Sequence, residues 1–211
     1  MTQKGSFIRM DYTAKLGNGA VFDTTIASEA QKAGMTRPVH TVTICLGERQ
    51  LLPGLDKALI GKEKGNHTIT LKPEDAFGKK DAKKFELVPL QQLKKQGINP
   101  QPGMQINIDN AYGVIKSVSG GRVIVDFNHP LADQEVTYDV TIHEEITDLK
   151  EQVQALLDTA HIPFVGIEVE KEHVIIKTPQ LYPQPIMDAL QEKITSLTKA
   201  DKVSFEQGEK K

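Results

Sequence analysis

Three features of this 211-residue chain set side chains where they could do chemistry. The first is the run Leu46-Gly47-Glu48-Arg49-Gln50-Leu51-Leu52-Pro53-Gly54-Leu55-Asp56-Lys57-Ala58-Leu59, which reads as a strand end, a turn and a short helix. Gly47 permits the turn backbone. Pro53 suits the first helical position, where its missing N–H is not needed, and Gly61 can stop the helix. Leu51 and Leu52 then stand at the helix mouth, beside N–H groups that have no intrahelical acceptor. Such a mouth can cradle an apolar ring and donate one hydrogen bond to a carbonyl. Taken alone, the stretch is explained as well or better by two core leucines. The second feature is Asp23 beside Phe22 at a strand end, where an acid has little reason to turn inward unless it is paired. The third is the set Tyr12, Phe22 and Tyr138, aromatic residues on apolar strand faces, each of which reads singly as core.

Other chemistries find less support. The six histidines (40, 67, 129, 143, 161, 173) are scattered, and no pair has zinc-type spacing. Asp139 and the Glu144-Glu145 pair have no partner acid at a spacing that suggests hydrolysis. No metal and no cofactor are expected. Net charge is −2, which leaves no strong footprint for nucleic acid or a membrane surface. No apolar run approaches the ~20 residues that span a bilayer. Met1–Ser6 lacks the apolar core of a signal peptide. Cys45 is the single cysteine, so no internal disulfide framework exists, and a reducing, cytoplasmic setting is expected.

The elements that must position these residues follow from periodicity. Residues 6–16 alternate, with Ile8, Met10, Tyr12, Ala14 and Leu16 on one face. Gly17-Asn18-Gly19 makes a hairpin turn into a short strand at 20–24. Residues 26–38 show no period and read as a loop. Further strands are expected at Val42–Leu46, at 67–71 before Pro73, and at 134–145. Lys79, Lys80, Lys83 and Lys84 form a basic connector, read as a solvated face. After it come a short helix from Pro89 and strands at 104–108, 112–118 and 122–127. That module has about 45 residues, near the lower limit for a core of its own. Beyond residue 146 a helix with Leu149, Val153, Leu156 and Leu157 is capped by Thr147 or Asp148. Strands near 163–169 and 173–178, a helix with Ile186, Leu190, Ile194 and Leu197, and a strand at Val203 and Phe205 follow; the tail Gln207–Lys211 reads as frayed.

Several stretches agree, in order and spacing, with one family. They are Phe7-Ile8-Arg9-Met10-Asp11-Tyr12-Thr13, Gly19-Ala20-Val21-Phe22-Asp23-Thr24, Leu46 to Leu59, Gly61-Lys62-Glu63-Lys64-Gly65, Pro73-Glu74-Asp75-Ala76-Phe77-Gly78 and Tyr138-Asp139-Val140. The chain resembles an FKBP-type peptidyl-prolyl cis–trans isomerase. Asn128-His129-Pro130-Leu131-Ala132 looks like the SlyD-like branch, in which a second domain is inserted in the flap, and the C-terminal segment resembles the long archaeal members. The resemblance implies an α+β chain, with an FKBP-like twisted antiparallel sheet around a short helix (1–83 and 129–146). It also implies a small β-rich inserted chaperone domain (84–128) and a C-terminal αββαβ domain (147–211). It places Tyr12, Phe22, Asp23, Leu51, Leu52, Leu55, Phe77 and Tyr138 around the prolyl pocket, with Val42 and Leu131 at its rim. Leu55 stands where a tryptophan often floors the pocket, and Phe77 where a tyrosine is usual. The partners implied are unfolded or nascent polypeptides, with Ile106, Ile108, Val123 and Val125 of the insert as the client-binding surface. A non-catalytic holdase or assembly scaffold remains open, and Leu55 and Phe77 favour it. Two helices and three short strands make a thin core for 147–211, so a homodimer through that segment is expected.

Overall fold

In the computed structural model, which describes residues 1–108 and 111–208, the first alternating run forms β1 (Phe7–Leu16). Ile8, Met10 and Ala14 are buried on it, while Arg9 and Asp11 are only partly covered. β2 (Val21–Thr24) returns beside it through a turn in which Gly19 has φ +82°. The segment read as a loop contains α1 (Ala27–Lys32). Its six residues bury only Ala30 and carry no side-chain cap, too little to show a helical period. β3 (Val42–Cys45), α2 (Pro53–Leu59) and β4 (Gly65–Leu71) complete the amino-terminal part.

Next come β5 (Phe85–Pro89), α3 (Leu90–Lys95), β6 (Gln105–Ile108), β7 (Ala111–Ser119) and β8 (Arg122–Asp126). β5 lies between the basic connector and Pro89, where the sequence suggests only a helix start; Pro89 is both the last residue of the strand and the N-cap of α3. β9 (Val136–Ile146) leads to α4 (Leu149–Thr159), whose N-cap Asp148 accepts from the Glu151 N–H at 2.9 Å. β10 (Gly166–Glu170), β11 (His173–Thr178), α5 (Gln184–Leu197) and β12 (Lys202–Gln207) end the described chain. Of the tail Gln207–Lys211 expected to fray, Gln207 instead closes β12 opposite Thr178 and the Gly208 N–H donates to the Thr178 carbonyl at 2.9 Å, while residues from 209 onward lie outside the described residues.

Contacts divide the chain into two units, 1–71 with 136–211 and 72–135. In the first unit a five-stranded sheet runs β2-β1-β9-β4, with β3 on the other half of β1. The three-stranded sheet β10-β11-β12 belongs to the same unit. A single apolar cluster joins the two sheets. Phe7, Cys45 and Ile146 pack with Val153, Leu156 and Leu157 of α4, Val174 and Ile176 of β11, and Leu190 and Ile194 of α5. Each fully buried side chain of this size stabilises the fold by ~1.5–3 kcal/mol. The second unit holds a four-stranded sheet, β5-β8-β7-β6, covered on one face by Leu93 of α3. No helix among the described residues is long and apolar enough to cross a membrane.

Candidate active site

A bulge builds the site. Along β1 and β2, Ala14 pairs with Asp23 but Lys15 pairs with Val21, so Phe22 is the extra residue on β2. Simple alternation would send Phe22 and Asp23 to opposite faces; a bulge re-aims side chains and is common beside active sites. On the other flank of β1, Ala14 pairs with Tyr138 of β9. The row Asp23–Ala14–Tyr138 therefore has only a methyl group at its centre, and the rings of Tyr12 and Tyr138 close over it. Their centroids are 5.7 Å apart at 50°, and Phe22 meets Tyr138 edge-on at 6.2 Å and 88°.

Asp23 has the partners that an inward-facing acid requires. Its Oδ2 accepts from the Tyr12 hydroxyl at 2.9 Å, and its Oδ1 accepts from the Arg37 guanidinium. Burial, with the Asp23 carboxylate alongside, pushes the Tyr12 phenol far above its ordinary value. The same two causes push Tyr138 up to about 12. Both phenols therefore stay protonated at neutral pH, and that of Tyr12 donates to Asp23.

The helix mouth closes the other side. Leu55 is buried at 1% exposure, while Leu51 and Leu52 are half-buried. Leu52 is the N-cap of α2, and its carbonyl accepts from the Asp56 N–H at 2.9 Å. Its own amide makes no backbone hydrogen bond among the described residues, which leaves it for an incoming carbonyl. Two residues that the sequence reading did not single out hold this mouth in place. The Asp56 carboxylate accepts from the Gly47 N–H at 2.9 and 3.1 Å, and Gln50 Oε1 accepts from the Cys45 N–H at 2.7 Å. Gly47 has φ +89°, a backbone conformation that favours glycine; a Cβ there would come within 2.5 Å of the exposed Lys4 side chain, which would have to move. The signal was present as an acid four residues after Leu52, in the first turn of a short helix.

A third tie is the Asp11 carboxylate. It accepts from Thr25 at 2.8 Å and Thr41 at 3.1 Å, and lies 2.8 Å from His143 Nε2. Burial opposes ionisation of Asp11, but these hydrogen bonds win and hold its carboxyl below the usual range.

The other expected site residues are distributed over both units. Val42 and Leu51 line a cavity together with Tyr12. Phe77 and Leu131 belong to the second unit, where the Phe77 ring stacks on His129 at 4.5 Å and 4° and the Leu131 N–H donates to His129 Nδ1 at 3.1 Å. The client surface expected on Ile106, Val123 and Val125 needs correction: these side chains are at 6%, 0% and 0% exposure, in the core with Val88, Leu93 and Ile115. Ile108 packs partly buried against the same cluster. The reason is that β8 is apolar on both faces, and α3 covers the one that carries Val123 and Val125. Ile124 faces out at 38%, beside its strand partner Leu87 at 57%. Among the described residues no cluster of histidines, cysteines and acids could hold a metal ion.

Comparison with known proteins gives this arrangement a family. A profile described as FKBP-type peptidyl-prolyl cis-trans isomerase matches residues 1–94, and one described as FKBP26, IF domain, matches residues 86–131. The probable FKBP-type 16 kDa peptidyl-prolyl cis-trans isomerase of Pseudomonas fluorescens is 32% identical over 149 residues, 68% of this chain and 88% of that protein. The short-type peptidyl-prolyl cis-trans isomerase of Methanocaldococcus jannaschii is 28% identical over 148 residues, 68% of this chain and 94% of its own. The isomerase SlyD of Vibrio cholerae is 35% identical over 102 residues, 46% of this chain and 50% of that one. The chain belongs to the FKBP-type peptidyl-prolyl cis–trans isomerases.

Proposed function

We propose that the chain rotates X–Pro bonds of unfolded or nascent polypeptides in the cytoplasm, in the pocket of Tyr12, Phe22, Asp23, Leu51, Leu52, Leu55 and Tyr138. The chemistry asks for no nucleophile. Rotation breaks amide resonance over a barrier of ~18–20 kcal/mol, and unaided X–Pro isomerisation takes tens of seconds or longer. An apolar cavity suits the twisted, less polar amide better than the planar one, and tighter binding of the twisted form is all that catalysis requires. The Leu52 amide holds the carbonyl, the aromatic rings hold the proline, and Asp23 fixes the Tyr12 ring through its hydroxyl. The Tyr12–Asp23 pair, set by the Phe22 bulge at 2.9 Å, is the observation that carries this reading. The test is a proline-limited refolding assay with the full chain. The slow phase should shorten at substoichiometric amounts; no shortening would leave a holdase.

The inserted unit supplies a second activity in this reading. Phe85 and Leu87 on β5 and Ile124 on β8 present exposed apolar surface at 39%, 57% and 38%, and β5 is an edge of its sheet. An open edge beside apolar side chains can capture an extended chain by strand addition, with little sequence preference. Tethering then raises the effective concentration of the client's prolines. If residues 84–128 are replaced by a short loop, activity on a tetrapeptide should be largely kept, while protein refolding and suppression of aggregation fall about tenfold or more. Equal losses on both substrates would favour a mere lid.

The homodimer through 147–211 also stays a proposal, on narrower ground. Its segment shares a core with Phe7, Cys45 and Ile146, which supplies cover that a partner would otherwise give, and leaves Leu181 at 54% and Ile186 at 42% as its exposed large apolar side chains. Light scattering of the full chain decides it: a monomer by mass ends the proposal.

A further inference from the structure

A cavity of about 610 Å³ lies in the first unit, between β3 and α4, and it is continuous with the prolyl site because Tyr12, Val42 and Leu51 line it. Its volume is in the range of sites that enclose small ligands. The far wall is α4. Glu151, Gln154 and Asp158 recur there at helical spacing, with Ala155 between them as a low floor. Gln154 and Asp158 are exposed. β3 supplies the near wall. The Cys45 N–H points away from β1, to Gln50, so the alternation of the antiparallel ladder also aims the Thr43 amide and carbonyl into this space.

The charges facing the cavity are not balanced. Arg9 is engaged twice, by Glu144 and by Glu151, both at 2.5 Å. Asp158 has no side-chain hydrogen bond or ion pair among the described residues. The other ionisable groups on the lining are His40 and the Tyr12 phenol, which donates to Asp23. The cavity thus offers outward-aimed backbone groups and side-chain amides for a main chain, and one uncommitted carboxylate for a side chain.

We propose that α4 forms the outer wall of an extended substrate groove, which takes the residues flanking the X–Pro bond on one side and uses Asp158 to favour a basic side chain there. The inference rests on the prolyl pocket proposed above and assigns the segment after residue 146 a part in substrate selection. A chain that leaves the pocket past Tyr12 and Leu51 enters this space directly. At about 3.3–3.6 Å per extended residue, a tetrapeptide reaches little beyond the pocket, whereas a decapeptide runs the length of α4.

The test uses the full chain and measures kcat and KM for a blocked tetrapeptide and for blocked decapeptides. Each decapeptide has one central proline and Lys, Ala or Glu placed three residues before or after it. The expected result is a lower KM for Lys than for Glu decapeptides on one side of proline only. The difference should be about two- to fivefold at low salt, as for a solvent-exposed ion pair. Asp158→Asn should level that preference and Asp158→Lys should reverse it, with tetrapeptide kinetics unchanged. Gln154→Trp should raise KM for every decapeptide and leave the tetrapeptide alone. Tetrapeptide activity with decapeptide KM values indifferent to charge, to Asp158→Lys and to Gln154→Trp overturns the groove. Absence of isomerisation on the tetrapeptide itself would instead overturn the pocket assignment, so the two failures are distinguishable.

Discussion

The five-stranded sheet of the first unit and the four-stranded sheet of the second are both rich in apolar strand residues, yet they use them in opposite ways. In the first, rings turn inward beside a polar pair: Tyr138 is at 5% exposure, and the Tyr12 hydroxyl is bound to Asp23. In the second, the core is complete with Val88, Leu93, Ile106, Ile115, Val123 and Val125, and a second apolar set, Phe85, Leu87 and Ile124, faces out. A pocket demands that every buried polar atom find a partner. A capture surface demands the reverse, apolar side chains left without cover. On the function proposed above, the first sheet would hold a defined chemical group and the second a chain of undefined sequence.

The comparison breaks most easily at the pocket. Phe22→Ala with Asp23→Ala removes a half-buried ring, worth roughly half of the ~1.5–3 kcal/mol of full burial, and a charge-assisted hydrogen bond worth ~1.5–3 kcal/mol. Even with incomplete additivity, kcat/KM on a tetrapeptide should fall about a hundredfold or more, while suppression of aggregation of an unfolded client is kept. A folded double variant with full tetrapeptide activity would show that the site lies elsewhere.

The converse variant is Leu87→Lys with Ile124→Glu on the exposed face of the second sheet. These positions are cross-strand partners, so the new charges pair with each other and the sheet is spared. Aggregation suppression, followed by light scattering of a refolding client, should fall about tenfold, the scale of a lost tether. Tetrapeptide activity should not change. Loss of both activities together would mean that the two sheets do not divide the work.

Much of this was legible in the chain, and what was not has physical causes. Alternation is enough for the strands of the first sheet and for β6, β7 and β8 of the second, but not for β5; Pro53 marks the start of α2, and of the two caps open for α4, Thr147 and Asp148, the structure uses Asp148. A pattern of period two assigns residues to faces, but it cannot say which face is covered. On β8, Val123, Ile124 and Val125 are all apolar, and only the packing of α3 decides that the first and third are core. Nor does alternation foresee a bulge. Phe22 and Asp23 are adjacent, and their convergence depends on a register shift between Ala14 and Lys15. The core in which Phe7 and Cys45 pack with α4 and α5 joins parts more than a hundred residues apart, so no local window reveals it.

A smaller effect is expected at the helix mouth. Asp56→Ala leaves the Gly47 N–H without its acceptor, at about 1–3 kcal/mol of stability. Its cost to activity should appear in tetrapeptide kinetics, because the loop that it holds carries Leu51 and Leu52. Asp56→Asn keeps an acceptor oxygen and should recover most of both. Equal activity in Asp56→Ala and the parent would remove Asp56 from the positioning of the mouth.

The smallest effect separates the two sheets by pH. Asp126 in the second unit is at 5% exposure; burial opposes its charge, but the Asn128 backbone and side-chain N–H groups, at 2.9 and 2.8 Å, hold its carboxyl below the usual range. Lys116 and Lys80 stand farther off, at 3.7 and 3.9 Å, and add to the same direction. A carboxylate whose folded value is depressed contributes stability that is fully present above its unfolded value of ~3.9 and is lost as pH falls through the folded value. In the first unit Asp11 and Asp139 are depressed in the same sense, the latter by hydrogen bonds from Lys15 and Thr68. Acid should therefore weaken both units below about pH 4, and Asp126→Asn should remove the pH-dependent part in the second unit alone. Amide exchange followed from pH 6 to pH 3 checks this, with β8 amides and β9 amides as the two reporters. An acid response of β8 that survives Asp126→Asn would show that other groups set the pH limit of that sheet.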